Sequence, residues 1–188
     1  MIIGIAGKVG SGKTFVAEQL SKQTGYKHIK LDYQAAEAAN VPILKWLLQK
    51  RLKIKIPKAY EGIQLFPLLR NLEKPFSNLE FWLFKSSLNR RLKKLMRTND
   101  SMIIDFVALP MLTASKKFDK MLVIESDNEK RIRRLAERDG LTTEQVRKMD
   151  SFIDKYCNFN GLTKVRNDYI DMVEFFDHIA IDLNLIKR

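Results

Sequence analysis

The sequence predicts a three-layer α/β fold in which helices flank a parallel five-stranded sheet. Three observations carry that prediction. Short apolar runs recur at Ile2–Ala6, Ser101–Val107 and Asp119–Glu125, and runs with little polar alternation mark strands buried on both faces. Segments with helical apolar spacing separate these runs, as crossovers between parallel strands require. A glycine-rich turn, Gly7–Thr14, stands between the first strand and the first helix.

The first strand, Ile2–Ala6, is wholly apolar and ends at Gly7. Lys13–Gln23 follows as a helix with Phe15, Val16 and Leu20 on its apolar side, and Gly25 stops it. Tyr26–Leu31 reads as a second strand ending at Asp32. Residues 34–53 read as helix, with Pro42 forcing a break or restart. Ile54–Pro75 contains Pro57, Gly62, Pro67 and Pro75 and is the least regular stretch. Ser77–Arg97 places Leu79, Leu83, Leu88, Leu92 and Leu95 at helical spacing, with basic residues between them. Ser126 and Glu129 form a capping box for a helix running to Asp139–Gly140, and Thr142 and Gln145 repeat the pattern for another. His178–Leu183 reads as the last strand.

Composition sets bounds on what such a fold can be. Hydrophobic residues at 45% and charged residues at 30% describe a folded domain with a core. No apolar run approaches the roughly 20 residues of a membrane-spanning helix, and the N-terminal residues lack the basic region of a signal peptide. Cys157 is the single cysteine, which rules out an internal disulfide framework and suits a reducing compartment. A cytoplasmic protein is expected. The net charge of +12 is uneven: residues 43–97 hold 14 Lys/Arg against three Asp/Glu. Such a patch attracts nucleic acid, an anionic membrane face or a small polyanionic substrate; the plain alternative is a solvated helix surface.

Gly7 to Thr14 matches G-x-x-x-x-G-K-[ST] at every position. The match follows a strand and opens a helix, as phosphate binding requires. Glycine freedom lets successive N–H groups, those of Gly7, Val9, Gly10, Ser11 and Gly12 among them, turn inward as an anion nest. The helix dipole points at the same phosphates. Lys13 is expected to reach the β- and γ-phosphates of ATP, and the Thr14 hydroxyl to ligate Mg²⁺. A guanine-reading N/T-K-x-D element is absent, since Thr163–Arg166 lacks its aspartate. With the loop at residue 7, little length remains for an oligomeric ATPase module.

Two carboxylates and a set of arginines complete the candidate site. Asp32, just after the second strand, can accept the proton of an attacking hydroxyl or help hold the metal, or else cap the following helix. Asp105 follows Met102–Ile104 and has the form of a Walker-B carboxylate holding Mg²⁺ indirectly, or of a plain strand-end aspartate. Arg131, Arg134 and Arg138 are spaced three and four apart, hence on one helix face. Guanidinium groups there suit charge developing on a transferring phosphoryl group, or form a solvated helix surface with Glu partners.

On these residues the chain resembles the dephospho-coenzyme A kinases. Ile2–Leu20 looks like that family's opening strand and loop, and Asp119–Val146, with Arg138-Asp-Gly-Leu141 inside it, looks like its lid segment; together they cover about a quarter of the chain. The resemblance implies transfer of the γ-phosphoryl of ATP to the ribose 3′-hydroxyl of dephospho-coenzyme A. It makes Asp32 the catalytic base, Arg134 and Arg138 lid arginines, and Asp105 the strand-end aspartate. The family's late element falls on Asn167–Ile170 or on Phe176–Ile179. A single domain, 1–188, is then expected, with 34–98 as a basic helical insertion covering a small anionic acceptor and about 131–150 as the lid. Two alternatives stand beside it: a kinase of another nucleoside or nucleotide, and a nucleotide-dependent nucleic-acid-binding module using the basic region with Trp46 and Trp82. Nucleic-acid binding would show steep salt dependence.

Overall fold

The computed structural model describes residues 1–39, 77–98 and 100–167, together with positions 42, 46, 47, 50 and 179. Its sheet consists of β1 (Ile2–Ala6), β2 (Lys27–Lys30), β3 (Met102–Asp105), β4 (Lys120–Glu125) and β5 (Thr163–Arg166). All are parallel, in the order β2-β3-β1-β4-β5. β1 is central because both of its faces are apolar or small. Ile3 and Ile5 are fully buried in the core on one face, and Ala6 is buried in the core on the other. Gly4 shares the Ala6 face, where a Cβ would come 2.5 Å from the ring of Phe118.

Helices cover both faces, as the apolar runs predict. α1 (Lys13–Thr24) lays Val16, Ala17 and Leu20 on Ile3, Ile5 and Ile103. It ends where Gly25 turns left-handed and donates its N–H to the Ser21 carbonyl. The opposite face is covered by α2 (Leu31–Ala39) and α3 (Asn78–Leu95), through Leu31, Ala35, Phe84, Leu88 and Leu92. Burying each such leucine contributes about 1.5–3 kcal/mol. A capping box of Ser77 and Glu80 opens α3. Of the predicted leucine stripe, Leu88 and Leu92 are buried while Leu79 is exposed, and Trp82 is 62% exposed. α4 (Asn128–Asp139) and α5 (Thr143–Tyr156) enclose a small third core of Leu135, Leu141, Val146 and Met149, against which Val9 packs.

The structure departs from the sequence reading at three places. The fifth strand of the described sheet is Thr163–Arg166, which the sequence reading did not mark. Among the described residues it is an edge strand, paired with β4 alone and carrying Lys164 and Arg166, so it lacks the apolar run that marks the inner strands. His178–Leu183 lies outside the described residues except for Ile179, which is helical and buried against the α1 face. The cap of α4 is Asp127, whose carboxylate accepts the Lys130 N–H, and not Ser126. α2 begins at Leu31, three residues before the predicted start. Of the expected insertion, residues 54–75 lie outside the described residues; Pro42, Trp46, Leu47 and Lys50 are helical. Among the described residues no helix is long and apolar enough to cross a membrane.

Candidate functional site

The carboxyl edge of the sheet gathers the predicted residues. Gly7, Gly10 and Gly12 adopt φ of 141°, 80° and 93°, which turns the loop between β1 and α1 back on itself. At Gly12 two constraints coincide: the left-handed backbone, and a neighbour so close that a Cβ would sit 2.1 Å from Asn167 Nδ2. Asn167 follows β5 directly. Its Nδ2 donates to the Ser11 carbonyl at 2.9 Å and its N–H to the Glu125 carbonyl at 2.7 Å. Of the two segments proposed for the family's late element, the one beginning at Asn167 therefore touches the loop; Phe176–Asp177–His178 is outside the described residues.

A pocket of about 310 Å³ opens in front of the loop, with Val9, Gly10, Gly12, Lys13 and Thr14 on one wall and Asp32, Arg134 and Arg138 on the others. Strand register explains how residues so distant in sequence meet. β3 is paired on both sides, placing Asp105 opposite Ile5 of β1 and Lys30 of β2. Asp32 lies two residues past Lys30, in the first turn of α2. Leu31 is already helical, so Asp32 is not the cap residue; its carboxylate still lies where the helix dipole favours negative charge.

These groups perturb one another. Burial lowers the Lys13 ammonium below its ordinary pKa, opposed by the nearby Asp32 and Asp105 carboxylates. Burial raises the Asp32 carboxyl above the usual aspartate range, opposed by Lys13 and reinforced by Asp105. Asp105 is 1% exposed, and its two oxygens lack a hydrogen-bond partner among the described residues. His28 Nε2 is 3.3 Å from Oδ1, outside hydrogen-bonding geometry. An orphaned buried carboxylate within electrostatic reach of the loop lysine fits a hydrated divalent cation. Among the described residues there is no group of three or more His, Cys, Asp or Glu that would bind such an ion without phosphate. Thr14 and Asp105 suit an ion that arrives with its nucleotide.

The three arginines separate. Arg134 and Arg138 line the pocket. Arg134 bonds the Ser126 hydroxyl and the Lys130 carbonyl. Arg138 holds Asp139 through two bonds of 2.8 and 2.7 Å, which raises its guanidinium above the ordinary value. Arg131 is 2% exposed and turns inward, beside Leu135, to the carbonyl of Val9. Helix geometry accounts for the split, because residues 131 and 135 share the inner stripe and residues 134 and 138 the adjacent one. The sequence reading missed the role of Arg131, since spacing alone cannot tell a buried arginine from an exposed one.

A parallel sheet of this order, with a complete phosphate loop after its central strand, defines a P-loop nucleotide-binding protein. The family profile described as an AAA domain matches residues 3–151, and the chain belongs to that family. It is 26% identical over 205 aligned residues to the uridine kinase of Bacillus mycoides strain KBAB4, covering 100% of this chain and 92% of that protein. Among solved structures it is similar to TT1252 from Thermus thermophilus, with TM-score 0.66 and 22% identity over 100% of this chain and 98% of the other. A sugar kinase from Janibacter sp. HTCC2649 follows at TM-score 0.58 and 16% identity, covering 98% and 94%. These two likenesses show the fold.

Proposed function

We propose that this chain is an ATP- and Mg²⁺-dependent kinase that phosphorylates a hydroxyl of a small molecule. The observation that carries the proposal is the grouping of half-buried Lys13 and Asp32 in the pocket before a complete phosphate loop, with the buried Asp105 acting on both. Asp32, with its pKa raised by burial, is a stronger base than an ordinary aspartate once ionised. It takes the proton of the acceptor hydroxyl; the freed oxygen attacks the γ-phosphorus; the bond to the β,γ-bridging oxygen breaks and ADP leaves. Lys13 and the arginines at 134 and 138 offset charge on the transferring group. Mg²⁺, when bound, neutralises the β- and γ-phosphates, and the residues that would hold it are Thr14 and, through water, Asp105. Arg138 must exchange Asp139 for phosphate, which gives the lid segment a reason to move.

The acceptor we propose is a ribose hydroxyl. The Arg138–Leu141 segment supports dephospho-coenzyme A, and the whole-chain similarity to the Bacillus uridine kinase supports a nucleoside; both carry ribose. ADP release measured with ATP, Mg²⁺ and a panel of uridine, other nucleosides and dephospho-coenzyme A separates the two. Acceptor-dependent release that is lost in Asp32→Asn, with binding of a non-hydrolysable ATP analogue intact, is expected. Release indifferent to every acceptor would refute the proposal.

A further inference from the structure

The tip of the phosphate loop is held from behind by contacts that lie outside the phosphate pocket. Arg131 Nη1 donates to the Val9 carbonyl at 3.0 Å and to Asp150 Oδ1 at 3.1 Å, while Nη2 bonds Asp150 Oδ2 and, at 3.2 Å, Asn128 Oδ1. The next loop residue is clasped as well: a Cβ on Gly10 would lie 2.9 Å from Leu135 and 3.1 Å from the Arg131 side chain. One turn beyond Asp150, Asp154 pairs with Lys8 at 2.9 Å. The predicted lid, about 131–150, thus begins and ends on the two partners of one ion pair, whose guanidinium is buried and whose carboxylate is 17% exposed. The third partner is a backbone carbonyl of the loop itself.

A buried ion pair is a poor way to gain stability, because desolvating both charges offsets most of their attraction. It is a good way to fix geometry, since the planar guanidinium presents donors in set directions. We propose, on the footing that the pocket takes nucleotide phosphates, that Arg131 and Asp150 are positioning residues. They hold Val9 and Gly10 in the phosphate-binding shape and couple the base of the lid to the loop.

The test compares wild type with Arg131→Lys and with the double variant Arg131→Met/Asp150→Leu. The double variant removes both charges at once and so avoids stranding a buried one. Hydrogen exchange of the peptide spanning residues 7–14 is read against that of the sheet strands, and affinity for a fluorescent ATP analogue is measured alongside. In the double variant the loop is expected to exchange about tenfold faster with the sheet unchanged, and affinity to fall about tenfold, within the usual range of coupling energies. Arg131→Lys should fall between, because one ammonium cannot serve both Val9 and Asp150 with the same geometry. Wild-type exchange at the loop in a folded double variant overturns the proposal. So does equal loss of protection in loop and sheet, which is what a merely stabilising pair would give. Exchange is read without nucleotide, so a wild-type chain that binds no ATP analogue would defeat the kinase proposal and leave this one decided separately.

Discussion

The two sides of the phosphate loop solve opposite problems with similar residues. In front, Lys13, Asp32 and Asp105 are drawn out of water with incomplete partners: burial lowers the lysine, raises one aspartate, and leaves the other's oxygens unbonded. Behind, Arg131 is buried at 2% exposure yet bonds two side chains and a backbone carbonyl, and Asn167 bonds the Ser11 carbonyl. An unsatisfied buried polar group costs about 1–3 kcal/mol. Among the described residues both oxygens of Asp105 are left in that condition in front, whereas behind the loop Arg131 leaves only its Nε unbonded. Stability is therefore given up in front of the loop, while the contacts behind it fix its geometry.

The largest expected effect lies in front. Lys13→Ala should lower turnover at least about 10²–10³-fold, the usual loss when one donor to a developing anion is removed; steady-state ADP release measures it. Turnover within tenfold of wild type would remove Lys13 from the chemistry. Asp32→Asn should cost about 10²–10⁴-fold, the usual range for a general base.

Asp32 also lets the strain be measured without activity. Its folded-state pKa is raised, so the folded chain holds that proton more tightly than the unfolded chain. Ionising it costs no stability below the ordinary aspartate range. The cost grows as pH rises between the unfolded and folded pKa values and is complete above the folded one. Asparagine stays neutral throughout. Asp32→Asn should therefore melt higher than wild type near neutral pH, by about 2–4 °C for each kcal/mol relieved, with the difference shrinking under acid. Melting curves across pH decide this. A difference that is negative at neutral pH, or flat with pH, would show that Lys13 fully compensates Asp32.

Much of the front was legible in the sequence because its chemistry is local. Eight consecutive residues specify the loop, Asp105 stands at the end of an apolar run, and Asp32 stands just after the second strand. The three inner strands were legible for the same reason, since burial on both faces leaves apolar signatures at Ile2–Ala6, Met102–Ile104 and Met121–Ile124. β5 was not, because an edge strand with Lys164 paired to Glu125 at 2.9 Å carries its charges openly. The back of the loop was not legible either. Val9 and Arg131 are 122 residues apart, and their contact depends on how α4 packs against the loop, which no spacing within either segment encodes. Asn167 stood as the start of one of two alternatives, and its bond to Ser11 shows that this one reaches the loop.

The smallest expected effect sharpens what the back of the loop does. Lys8 and Asp154 join the same loop to the same helix as Arg131 and Asp150, but their side chains are 32% and 54% exposed. An ion pair that wet is worth roughly 0–1 kcal/mol and is screened by salt. Asp154→Ala should lower the melting temperature by no more than about 2 °C and leave affinity for the ATP analogue within about twofold. If its effect instead matched that of the Arg131/Asp150 double variant, burial would be irrelevant and any tether between α5 and the loop would serve. The expected gap between the two pairs puts the restraint in the buried guanidinium and the Val9 carbonyl it holds, where water competes less than it does at Lys8 and Asp154.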